Sequence, residues 1–123
     1  LSKKDQNRLK VIDNFYKDKV TAKSFLELNL NKIFYYKGKQ SVLDILSYKL
    51  FISKKIDKKI LNFIDKFQSK LLPTMPVGAK VLMEKYEISE GKDLGNKLKI
   101  IEEEWVNNNF QLTEKQVNKI INS

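Results

Sequence analysis

Apolar residues recur along this 123-residue chain at intervals of three and four, and no stretch sustains the strict alternation of a half-buried strand. Each run so marked predicts a helix. Ser2 is placed to cap a first one, whose apolar positions are Leu9, Ile12, Phe15 and Tyr16. A second is expected from Ala22 to Tyr36 through Phe25, Leu28, Ile33 and Tyr36, stopping at Gly38, a residue free to take a positive φ. The third carries Val42, Ile45, Leu46 and Leu50 and breaks at Ser53. In the fourth, Ile56, Ile60, Phe63, Ile64, Phe67 and Leu71 share a face until Pro73 and Pro76 forbid continuation.

Beyond the LLPTMPV connector the pattern resumes with a short helix expected to turn Val81, Leu82, Met83 and Tyr86 inward. Ser89 is the expected cap of a sixth helix, with Leu94, Leu98, Ile101 and Trp105 on one side and Asn107 to Asn109 at its end. Thr113 and Gln116 form a T-x-x-Q capping box for a last helix bearing Val117, Ile120 and Ile121. The expected fold is all-α: a compact bundle of about six or seven helices with short loops. It is read as a single domain, residues 1–72 supplying basic helices and residues 73–123 a proline-initiated tail. The first residue is Leu1 rather than Met, which suggests a piece of a longer protein.

Charge sharpens this picture. The chain holds 24 basic and 15 acidic residues, net +9 at pH 7, with Arg8 the only arginine. An AT-rich genome favours lysine over arginine, but that bias does not create an excess of base over acid. Residues 1–72 carry 17 basic and 7 acidic side chains, net +10, whereas residues 73–123 carry 7 lysines and 8 acids, net −1. Base segregated in this way is the footprint of a polyanion partner, because each neutralised phosphate releases counterions. On the fourth helix Lys55, Lys59, Lys66 and Lys70, with Asn62 between, step by helical intervals along one side. They read either as a rail for phosphates or as the solvated back of an amphipathic helix.

Gly91 and Gly95 stand four apart at the start of the sixth helix and leave a bare notch on one face. With Lys92 beside it, Gly91 exposes a helix N-terminus suited to phosphate, while Gly95 equally suits close helix packing. Catalytic inventory is thin. The chain has no histidine and no cysteine, no Asp-x-Asp pair and no Walker loop, and Glu102, Glu103 and Glu104 fan around a helix rather than converge. Neither catalytic nor metal-ligating residues are assigned. No apolar run approaches the roughly 20 residues of a membrane span, so no membrane partner and a cytoplasmic address are expected.

The segment from Leu72 to Trp105 resembles the carboxy-terminal body and tail of bacterial CCA-adding tRNA nucleotidyltransferases and the related poly(A) polymerases. The likeness rests on Pro76, Val77, Gly78, Leu82 and Met83, followed by Gly91, Leu94, Gly95, Leu98 and Trp105. Upstream, LSKKDQNRL and FLELNLNKIFYYKGKQSVLDIL, with the aromatic-Lys-Gly turn at Tyr36 to Gly38, are similar to the preceding helices of that family. Val81 departs from the family's frequent aspartate, and Tyr86 or Glu87 from its glycine. The resemblance implies a helical body that grips the acceptor and T arms of tRNA and presents the 3′ end to an amino-terminal catalytic head in the same polypeptide. That head, with its Asp-x-Asp site for Mg and its selection of ATP and CTP, has no counterpart here. The expected RNA-binding residues are Lys55, Lys59, Lys66, Lys70, Gly91, Lys92 and Gly95. A rival reading is a helical interaction or dimerisation module built on Trp105, Phe34 to Tyr36 and the glycine notch, with a homodimer left open. Sequence-specific DNA recognition fits less well, since one arginine is poor equipment for guanine readout.

Overall fold

A computed structural model describes residues 2–123 as seven α-helices and one short 3-10 turn, with no strand among the described residues. The all-α class is therefore the one found. The chain divides into two compact units, Leu1–Leu72 and Pro73–Ser123, and the division falls where the charge of the sequence changes sign.

The first unit contains α1 (Lys3–Lys17), the 3-10 turn (Ala22–Phe25), α2 (Glu27–Lys37), α3 (Lys39–Ile52) and α4 (Lys58–Ser69). Helix α3 is its centre, with α1, α2 and α4 all packed on it. A helix touched on three sides must be apolar over most of its girth, and Val42, Ile45 and Leu46 are wholly buried while Leu43 and Leu50 are partly so. Leu30 and Phe34 of α2 and Ile60 and Phe67 of α4 complete the core. Each such side chain contributes about 1.5–3 kcal/mol by leaving water. Ser2 Oγ accepts the Asp5 N–H at 3.1 Å to start α1. Gly38, at φ 92°, lets α2 end and α3 begin without a linker, and its N–H closes on Phe34 O at 3.0 Å.

Two expected boundaries move. The second helix is not continuous from Ala22, because Leu26 is extended and separates the 3-10 turn from α2. Local side chains satisfy the backbone there: Ser24 Oγ accepts the Thr21 N–H at 3.2 Å, and Asn29 Nδ2 donates to Ser24 O at 2.9 Å. After the break Leu30 and Phe34 point inward, and Leu28 and Tyr36 are exposed. The fourth helix starts at Lys58, since the Asp57 carboxylate accepts the N–H groups of Lys59 and Ile60 at 3.0 and 3.3 Å. Ile56 and Leu71, expected on its buried face, lie outside it and are 81% and 85% exposed.

The second unit contains α5 (Ala79–Lys85), α6 (Lys92–Asn107) and α7 (Glu114–Ile121), with α6 packed on both others. Leu82, Leu94, Ile101 and Val117 form a core cluster to which Met75, Val77, Leu98 and Ile120 add partly buried surface. Of the four α5 positions expected inward, Leu82 alone is buried; Tyr86 is half-buried, and Val81 and Met83 are exposed. A seven-residue helix has a single inward stripe, here turned by Leu82 onto α6 and α7, so flanking residues cannot join it. The residue that caps α6 is Gly91 rather than Ser89. The T-x-x-Q box closes as expected: Thr113 N–H donates to Gln116 Oε1 at 2.8 Å, and Gln116 N–H to Thr113 Oγ1 at 3.2 Å. Among the described residues no helix is long and apolar enough to cross a membrane.

Candidate nucleic-acid interface

The four lysines read as one stripe have four different surroundings. Lys55 sits in the bend before α4, two residues ahead of its cap, so helical spacing does not govern it. Lys66 forms an ion pair with Glu27 of α2. Lys70 is the residue after α4; its Nζ donates to Asn31 Oδ1 at 3.0 Å and lies 5.7 and 5.3 Å from the ring centres of Phe34 and Phe67. Asn31 is itself buried. Burial and the Lys66 ammonium lower the pKa of Lys70 against the opposing pull of Glu27. Glu27 and Asn31 are one turn apart on α2, and Lys66 and Lys70 stand four residues apart in the last turn of α4 and just past its end, so these pairs make two rungs between the segments. Both lysines thus already have partners within the first unit, Lys66 in an exposed ion pair and Lys70 in a partly buried hydrogen bond.

Open base gathers instead around the α3–α4 connection. Lys54, Lys55, Lys58 and Lys59 are exposed and make no ion pair among the described residues. Asp57, between them in sequence, accepts the capping bonds of α4. The positive end of the α4 dipole adds to their field. Behind them lies a cleft of about 310 Å³ bounded by Thr21, Phe25, Lys49 and Lys59. Lys49 Nζ stands 5.5 Å from the Phe25 ring centre and Lys59 Nζ 6.0 Å from that of Phe63. Spacing along an assumed helix passed over Lys54 and Lys58, though the doubled Lys-Lys of SKKIDKK across a helix break was a visible signal.

Gly91, Lys92 and Gly95 fall in the second unit, the one without excess base. A β-carbon at Gly95 would meet nothing within 4 Å, so the expectation of close helix packing there does not hold. Gly91 is required for conformation rather than space: at φ 146° and ψ −163° it occupies a region essentially reserved for glycine. The first turn of α6 is uncapped by any side chain, with Lys92 exposed, but Asp93 already supplies an acid at that positive end. Lys97 Nζ lies 4.0 Å from the Asp93 carboxylate.

A second cleft of the first unit, about 500 Å³, separates α1 from α3 and is lined by Leu9, Ile12, Tyr48 and Phe51, with Arg8, Asp44 and Ser47 at its edge. Its walls are pinned. Arg8 donates through Nε and Nη2 to the two Asp44 oxygens, each at 2.9 Å, and Gln40 Nε2 adds a bond of 2.8 Å. Burial alone would raise the Asp44 carboxyl, but the bonds from Arg8 and Gln40 prevail and hold it below its ordinary 3.8. Tyr16 donates to Ile45 O at 2.7 Å, and burial, with Tyr48 nearby, pushes its phenol up to about 12. Among the described residues no three acidic side chains gather to hold a metal ion.

Compared with known proteins, the chain matches no family model, no curated protein and no solved structure.

Proposed function

We propose that this chain is the RNA-gripping helical body of a tRNA nucleotidyltransferase, CCA-adding or poly(A)-forming, which steadies the acceptor and T arms while nucleotides are added by a head outside these residues. The observation that carries the RNA-binding part is the cluster of Lys54, Lys55, Lys58 and Lys59, exposed and without an ion pair among the described residues, on a unit of net +10. Folded RNA is gripped mainly through backbone and shape, for which ammonium groups suffice and base-edge readers are not needed. The choice of tRNA rests on the motif resemblance around Pro76 to Trp105. Mg and ATP or CTP would belong to the head, and no step of this proposal passes through a metal held by these residues.

The test is titration of labelled tRNA between about 50 and 200 mM salt. Affinity is expected to fall steeply with salt, and reversal of Lys54 and Lys55 to Glu to lower the slope of log K against log salt by about one for each lysine. Binding indifferent to salt, or none at low salt, sinks the reading. A second reading, a helical interaction or dimerisation module, draws on the exposed Phe51, Ile56, Leu71 and Leu72. It predicts self-association that salt leaves unchanged.

A further inference from the structure

Phe51, in the last turn of α3, is 85% exposed at the mouth of the α1–α3 cleft. Phe51 is not exposed singly: Tyr48 and Ile52, in the same last turns of α3, are exposed too, and apolar exposure grouped in this way marks an interaction site. Tyr48, one turn earlier, lies 6.4 Å away with its ring tilted only 31° from that of Phe51, nearer parallel than edge-on. Tyr16 packs against the other side of Tyr48 at 4.7 Å and is anchored by its bond to Ile45 O, while the Arg8–Asp44 bridge fixes the facing helix. Tyr48 is thus held before anything binds, and Phe51 stands exposed beside it. Just past Phe51 the chain carries Lys54 and Lys55, both exposed and without an ion pair among the described residues. Of the two acids lining the cleft, Asp5 lies on α1, and Asp44, on α3, is already neutralised by Arg8.

An occupant that suits this arrangement is flat and apolar on its faces and anionic along its edge. An unpaired nucleotide has both properties: its base stacks on aromatic rings, and its phosphates seek lysine. An aliphatic protein side chain would gain no more from two near-parallel rings than from any apolar wall. We infer that Phe51 and Tyr48 form a stacking platform for an unpaired base of the bound RNA, with Lys54 and Lys55 taking the flanking phosphates. This rests on the RNA-binding reading above and adds to it a preference for single-stranded RNA at one defined place.

The experiment compares an RNA hairpin carrying a short single-stranded 3′ extension with the same hairpin made blunt. The protein is expected to bind the extended hairpin about tenfold more tightly, the effect of one stacked base. Phe51→Ala is expected to abolish that preference and leave blunt-hairpin affinity unchanged, and a side chain so exposed can be truncated without unfolding the unit. Phe51→Trp keeps the preference, and its emission is quenched by the extended hairpin but not by the blunt one. Equal affinity of the wild type for the two hairpins overturns the stacking platform and leaves RNA binding standing. Failure to bind either hairpin overturns both readings. Self-association that Phe51→Ala weakens, without any preference for the extension, assigns the cleft to a second copy of the chain and likewise overturns the platform.

Discussion

Lys55 and Lys70 carry the same ammonium group but answer to different surroundings. Lys55 is exposed and makes no ion pair among the described residues, so the cost of giving it to a phosphate is small; Lys70 is already bonded to buried Asn31 and lies against two phenyl rings. To reach RNA, Lys70 would have to leave contacts worth about as much as those it gained. Replacing Lys70 by Met keeps the stem against Phe34 and Phe67 and removes the charge that burial and Lys66 disfavour. What is lost is the charge-assisted bond to Asn31 and the ammonium's contacts with the two rings, so the expected destabilisation is about 1–2 kcal/mol in denaturant unfolding. RNA affinity should move less in Lys70→Met than in Lys55→Met. If Lys70→Met instead weakened binding as strongly while leaving the unfolding midpoint in place, Lys70 would be a phosphate contact after all.

Helix α6 shows how two glycines of one motif part company once their backbone is known. Gly91 stands at a φ and ψ that a β-carbon makes costly, whereas Gly95 has helical backbone and open space around it. Gly91→Ala is therefore expected to destabilise the protein by about 1–3 kcal/mol, and Gly95→Ala to stabilise it by about 0.5–1 kcal/mol by restricting the unfolded chain. Thermal unfolding of the two variants decides this, and a destabilising Gly95→Ala would show an unrecognised close contact. Sequence could place the elements because period and caps are local: Ser2, Gly38 and the Thr113–Gln116 box are where pattern put them. It could not place the start of α4, since Ile56 fits the apolar period and only the bonds from the Asp57 carboxylate show where the helix begins. The surroundings of the lysine stripe were hidden for a related reason. The partners of Lys66 and Lys70, the Glu27 carboxylate and the Asn31 amide, lie 39 residues upstream and meet them only through tertiary packing.

Charge acts on the molecule as a whole, and acid exposes it. With no histidine, no side chain titrates near its ordinary pKa between about pH 5 and 8, so stability should be nearly flat there. Acid takes charge from carboxylates and leaves lysine charged, so the unit of net +10 repels itself more strongly as pH falls. Asp44 adds a specific term. Its folded pKa lies below the ordinary 3.8, so the stability it contributes is complete above that value and is lost as pH falls through the folded one. Unfolding free energy should therefore drop below about pH 4. Added salt should restore the part owed to repulsion among exposed lysines and leave the part owed to the Arg8–Asp44 bridge. Asp44→Asn separates the two: less stable than wild type at neutral pH, it should lose less on acidification, since a neutral amide has no proton to take up. Should Asp44→Asn lose as much between about pH 6 and 3 as the wild type, the bridge would not be what fastens α1 to α3, and general repulsion alone would account for the acid limb.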